Sequence, residues 1–230
     1  MQHLVLFDID GTILHSGGAG RDAMEYALAT VFGTAGDSAM RYDGKTDKQI
    51  VRESMRAAGI SEAEIDAHME QVVSLYVATL PSRLGDPERH VGMYPGVAEL
   101  IDAVHARDDT VLGLLTGNVE PGARLKLGAV GLDFDQFRIN AFGSDHEIRG
   151  ELPAIAHQRM QDAFGITLGG RDVVVIGDTP ADISCGRELG ARAIAVATGS
   201  YSVEDLKAHD PYAVFSDLSD TDAVLAAIVG

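Results

Sequence analysis

The chain has 230 residues, with 18 Lys and Arg against 35 Asp and Glu, a net charge of −17. Hydrophobic residues at 46% and charged residues at 23% exclude a disordered or collagen-like chain and leave room for one domain with a sizeable insertion, or two small domains. The acidic balance argues against nucleic acid, where Lys and Arg must replace counterions, and equally against an anionic membrane surface.

No apolar run approaches the roughly 18 residues of a membrane span. The start, Met1 to Phe7, has no basic flank and soon meets Asp8, so no signal peptide is expected. The single cysteine, Cys185, suits a reducing, cytoplasmic setting. An anionic small substrate stays open if the site builds its own positive field; a monomer or a homodimer is expected.

In chain order, Leu4–Phe7 reads as a buried strand that ends in Asp8-Ile9-Asp10-Gly11-Thr12. The stretch from His15 to Arg89 has no convincing strand. Helices are expected over Arg21–Phe32, Asp47–Ala58 and Ser61–Leu80, with Pro81 as the stop of the last. Gly17–Gly20 and Gly85–Gly92 are candidate hinges on either side. After them, strands over Thr110–Leu115, Val173–Ile176, Ala193–Val196 and Tyr212–Phe215 alternate with helices. The helices run from Pro95 to Val104, Pro121 to Val130, Leu152 to Phe164, Ala181 to Leu189 and Thr221 to Ile228. Fully apolar strands alternating with helices imply a parallel sheet covered on both faces, an α/β fold with a Rossmann-like core. Such sheets bind ligands at the carboxyl ends of their strands. The expected division is a core of residues 1–14 and 91–230 and an inserted all-helical domain of residues 15–90.

Three strand ends carry the chemistry. Asp8 and Asp10 leave the first strand where alternation gives way to a turn, so both can face one site; their repulsion calls for a cation, and oxygen ligands suit Mg²⁺. Gly177-Asp178-Thr179-Pro180-Ala181-Asp182 delivers Asp178 in the same way, with Asp182 in the first turn of the next helix and capping by Asp178 or Thr179 as the plain alternative. Thr116-Gly117-Asn118 offers a hydroxyl and backbone amides suited to phosphate oxygens.

Taken together, these stretches resemble the haloacid dehalogenase superfamily of phosphohydrolases. Asp8-Ile9-Asp10-Gly11-Thr12 matches its first motif, Thr116 its second, and Gly177 to Asp182 its fourth; a helical insertion after the first motif is similar to the family's first cap class, as in phosphoglycolate phosphatase-like members. The resemblance implies a phosphatase of small organic phosphate monoesters that works through an aspartyl-phosphate. Asp8 is then the nucleophile and Asp10 the acid and base. Mg²⁺ sits on Asp8, the main-chain carbonyl of Asp10, and Asp178, with Asp182 orienting the site. Thr116, Gly117 and Asn118 hold the phosphoryl group.

The third motif departs from the pattern, which has a Lys before the fourth motif. Arg149 is the only cation in Ser144 to Pro153. The other candidate is Lys126, about 7 Å along a helix starting near Pro121 at roughly 1.5 Å per residue; it is favoured, because helical side chains lean back toward the N-terminus. In the insertion, Arg41 and Lys45 of Arg41-Tyr42-Asp43-Gly44-Lys45-Thr46-Asp47 are candidates to meet the leaving group, with Thr46 or Asp47 capping the next helix. Phosphoglucomutase-like transfer, phosphonoacetaldehyde hydrolase-like cleavage with Lys45 as Schiff base, and a silent binding protein on the same scaffold are the alternatives.

Overall fold

The computed structural model describes residues 2–230. The elements are β1 (His3–Phe7), β2 (Leu14–His15), α1 (Ala19–Phe32), α2 (Asp47–Ala57), α3 (Glu62–Leu84), β3 (Gly92–Met93), α4 (Val97–His105), β4 (Thr110–Thr116), α5 (Glu120–Ala129), β5 (Ile139–Phe142), α6 (Leu152–Phe164), β6 (Val173–Gly177), α7 (Pro180–Cys185), β7 (Arg192–Val196), α8 (Val203–Lys207), β8 (Ala213–Phe215) and α9 (Thr221–Val229). Six strands form one parallel sheet in the order β5-β4-β1-β6-β7-β8.

Strand alternation feeds two apolar layers. Val5, Phe7, Leu112, Leu114, Val174 and Ile176 point to one face, where α4, α5 and α9 cover them. Leu4, Leu6, Leu115, Val173 and Val175 point to the other, against Leu152, Ala156 and Met160 of α6. Strands buried on both sides need no polar alternation, which is why their sequences read as unbroken Val, Leu and Ile.

Register places the site. Phe7 pairs with Leu114 on one side and Ile176 on the other. Asp8 therefore leaves the sheet beside Thr116 and Asp178, each two residues beyond those partners, and its N–H donates to the Ile176 carbonyl at 2.9 Å.

Helices α1 to α3 pack around a core of their own, including Met24, Leu28, Val51, Met55, Val72 and Tyr76, which also takes in Val119 from the α5 side. Thr46, not Asp47, caps α2, its hydroxyl accepting from the Gln49 N–H at 3.1 Å. Pro81 does not stop α3: it lies in the last turn, where its carbonyl still accepts from the Gly85 N–H at 3.0 Å. A proline forfeits one donor there, and Leu80 beside it is fully buried.

Three further features differ from the sequence reading. Leu14 and His15 pair with Met93 and Gly92 as a two-residue antiparallel ribbon, joining the two glycine-rich connections; so short a pairing leaves no periodicity. The edge strand β5 and the one-and-a-half-turn α8 were not expected. The helix after β6 ends at Cys185, short of Leu189, with Gly186 as its C-cap.

Candidate active site

Two carboxylates from one strand end sit in two different electrostatic settings. Asp8 is buried, and Arg149 reaches its Oδ1 at 3.1 Å. The same guanidinium nitrogen also donates to Asp182 Oδ1. Burial pushes the Asp8 pKa up to about 6; Arg149 pulls against this, and the charges of Asp182 and Asp10 add to it. Burial and the charges of Asp182 and Asp8 likewise hold Asp178 well above the usual carboxylate range. One guanidinium thus serves both Asp8 and Asp182, with Asp178 close beside them.

Ligand atoms of Asp8, Asp178 and Asp182 all lie within 4.8 Å of one another. Asp182 is the least available of the three. Its Oδ2 accepts from the Thr179 N–H at 3.0 Å and from the Thr179 hydroxyl at 2.6 Å, closing the capping box of α7, and its Oδ1 faces Arg149. Asp8 and Asp178 are therefore the carboxylates that suit a hard divalent ion. The surroundings make room for Asp178: a Cβ on Gly11 (φ +85°) or on Gly199 would strike its carboxylate. The hydroxyl of Thr12 donates to Asp178 Oδ1 at 3.3 Å.

Asp10 turns toward α5 and is partly exposed. Lys126 Nζ donates to its Oδ2 at 2.6 Å, and Asn118 Nδ2 donates to the same oxygen at 2.7 Å. Lys126 also donates to Asn118 Oδ1 at 2.6 Å, while Asn118 Nδ2 reaches the Thr116 hydroxyl at 2.8 Å. Burial works against the Lys126 charge, but Asp10, Tyr76 and Asp47 outweigh it and its pKa is raised. Gly20 gives the ammonium its space, since a Cβ there would come within 3.2 Å of Nζ.

The structure brings both candidate cations to the site. Both are buried; Arg149 serves Asp8 from just before α6, and Lys126 serves Asp10 from α5.

The cation candidates of the insertion are already paired. Lys45 lines the cavity, but its ammonium is 2.5 Å from Glu53. Arg41 lies outside the cavity lining: it is exposed, pairs with Asp43 at 2.7 Å and stacks over the Tyr201 ring. Cys185 is buried, and burial pushes its thiol up to about 12, so it carries no reactive thiolate.

The insertion lies directly on the strand ends. The Asp47 N–H donates to the Gly117 carbonyl at 2.8 Å, the Val119 N–H donates to Asp47 Oδ2 at 2.7 Å, and the Thr46 hydroxyl donates to the Glu147 carbonyl at 2.6 Å. A Cβ on Gly117 would strike the Lys45 carbonyl, so glycine is what lets the two loops meet. Between them lies a cavity of about 460 Å³, with Asp8, Asp10, Thr116, Asn118, Lys126, Arg149 and Asp178 in its wall. That volume suits a small organic ligand. Asp47 and Tyr76, also in the wall, were not singled out as site residues in the sequence. Asp47 ended a segment marked for its charges, whereas Tyr76 reads as an ordinary core residue of a helix.

A family model described as haloacid dehalogenase-like hydrolase matches residues 5–187. A phosphoglycolate phosphatase of Rhodospirillum rubrum is 27% identical over 221 residues, covering 95% of this chain and 89% of that one. Among solved structures, a hydrolase from Pseudomonas syringae aligns with a TM-score of 0.72 at 21% identity, covering 99% of each chain. CbbY from Rhodobacter sphaeroides, in complex with phosphate, aligns with a TM-score of 0.70 at 18% identity over 96% of each chain. These structural likenesses speak for the fold. The family match runs from β1 to just past α7 and so spans the strand ends that supply Asp8, Thr116 and Asp178: the chain belongs to the haloacid dehalogenase-like hydrolases.

Proposed function

We propose that the protein is a Mg²⁺-dependent phosphatase that hydrolyses a small organic phosphate monoester through an aspartyl-phosphate on Asp8. The observation that carries this is the buried cluster of Asp8, Asp178 and Asp182 beside Arg149, with Asp8, Asp178 and Arg149 in the wall of the cavity that holds Thr116 and Asp10. The relative from Rhodospirillum rubrum, a phosphoglycolate phosphatase, agrees with this reading.

Asp8 and Asp178 would hold the ion, which supplies positive charge to a reaction that is mostly positioning and charge stabilisation. Arg149 fixes the Asp8 carboxylate and offsets phosphoryl charge. The Thr116 hydroxyl and the Gly117 backbone receive phosphoryl oxygens. The Asp8 carboxylate attacks phosphorus, the ester oxygen leaves, and Asp10 protonates it; Asp10 then takes a proton from the water that hydrolyses the acyl phosphate. Both donors on Asp10 use Oδ2, so Oδ1 is the atom left to carry that proton. Residues 15–90 act as a cap that excludes bulk water over the core of residues 1–14 and 91–230.

A Schiff-base route through Lys45 has no support from its setting, because Glu53 holds its ammonium. The test is phosphate release from a panel of phosphorylated metabolites, with and without Mg²⁺. Metal-dependent release from monoesters, abolished in Asp8→Asn, is the expected result. Isomerised sugar phosphate without free phosphate would replace this reading with a mutase.

A further inference from the structure

Asp178 is buried beside two other carboxylates, yet no Lys, Arg or His among the described residues pairs with it: the Arg149 guanidinium goes to Asp8 and Asp182. Packing sets its orientation instead. The carboxylate lies in a slot between two glycine backbones, Gly11 from the turn after β1 and Gly199 from the turn after β7, and neither wall has room for a Cβ. The Thr12 hydroxyl donates to Oδ1 from the Gly11 side. The two walls come from opposite ends of the chain. The Thr198 hydroxyl joins them, donating to the Gly11 carbonyl at 2.5 Å. The Gly11 N–H donates to the Leu14 carbonyl at 3.0 Å, so the peptide groups on both sides of Gly11 are held. Thr198 itself lines the cavity and is only partly buried, so it adds little to the apolar core.

We propose that Thr198 is a positioning residue for the metal site: by tying the turn after β7 to Gly11 it fixes the width of the slot and keeps the Asp178 carboxylate beside that of Asp8. Its hydroxyl is spent on Gly11, so it acts through the slot and not as a ligand. Two buried carboxylates repel, and with no ion between them they gain by turning apart. The tether opposes that rotation, so an arriving ion meets ligands already in place. Without the tether the turn after β7 is free to move off with Gly199, and the slot widens. Ion binding must then draw Asp178 back against its repulsion from Asp8. The effect therefore belongs in the affinity for the ion. The inference rests on the reading in which Asp8 and Asp178 hold Mg²⁺.

Calorimetric titration of Mg²⁺ into the metal-free full chain tests it, with no substrate present. Thr198→Val keeps the shape and removes the hydroxyl; Thr198→Ser keeps the hydroxyl. The valine variant should bind Mg²⁺ about tenfold more weakly or worse, and the serine variant within about threefold of the parent chain. Metal-free melting temperatures of all three should agree within about 3 °C. Unchanged affinity in Thr198→Val, or equal losses in the valine and serine variants, would overturn the proposal. Should Thr198→Val not fold, Thr198→Ala carries the same test; if neither melts cooperatively, the hydroxyl is a requirement of folding and the positioning role is overturned. Asp178→Asn is the reference and should lose most of the binding. If it does and Thr198→Val does not, the tether fails alone. If Asp178→Asn binds Mg²⁺ as the parent does, the metal reading fails and takes the inference with it.

Discussion

Asp8 and Asp10 are two residues apart on one strand end, yet their surroundings are built differently. The Asp8 side is made by the core alone: β1, β6, the turn before α6 and the first turn of α7 supply Asp8, Asp178, Arg149 and Asp182. On the Asp10 side, Lys126 and Asn118 bond Asp10, and Asp47 of α2 and Tyr76 of α3 line the same cavity. The contrast also explains the charge count. Three buried carboxylates beside one guanidinium suit a metal, whereas Asp10 has Lys126 as its own cation.

The largest effect should come from breaking the Asp8 side. Arg149→Met leaves Asp8, Asp178 and Asp182 buried without a protein cation, and such orphaned charge costs about 3–5 kcal/mol. Urea unfolding in the absence of Mg²⁺ should show a loss of that order, and turnover should collapse. Lys126→Met should cost less stability, because Asp10 is 41% exposed and can regain water; its kcat should nevertheless fall steeply.

Metal and pH sharpen the comparison further. Folded Asp8 titrates at about 6 against an ordinary value of 3.8, so between these values the folded state holds the extra proton. Its contribution to metal-free stability therefore falls as pH rises through that window and is weakest above about 6. Mg²⁺ should accordingly raise the melting temperature more at about pH 7.5 than at about pH 5, and Asp178→Asn should flatten that difference. The smallest effect is expected at Arg41. Its exposed pair with Asp43 is screened by solvent, and Arg41→Ala should leave KM within about twofold, as steady-state kinetics would show.

Much of the core was legible because buried parallel strands advertise themselves: Val173 to Ile176 and Thr110 to Leu115 have no polar break before their functional turns. The strand-end residues Asp8, Thr116 and Asp178 could be placed together because a parallel sheet brings like ends to one edge. The division of labour between Lys126 and Arg149 could not be read. Both are cations near helix starts, and only the register of α5 and α6 against the sheet decides which carboxylate each meets. Tyr76 was hidden for a different reason: at helical spacing a buried tyrosine looks like core, and only the close approach of α5 at Gly122 accompanies its place in the cavity wall. Lys45 and Arg41 looked like free cations since the sequence does not show that Glu53 and Asp43 fold back onto them.

The central claim is that the phosphoryl group passes through Asp8 on its way to water. The stereochemical course at phosphorus tests this most directly, with a phosphorothioate monoester made chiral there by one sulfur and two oxygen isotopes and hydrolysed by the Mg²⁺-loaded enzyme in water carrying the third isotope. Two successive in-line displacements predict retention of configuration; inversion would show that water attacks the substrate directly and would contradict the nucleophilic role of Asp8.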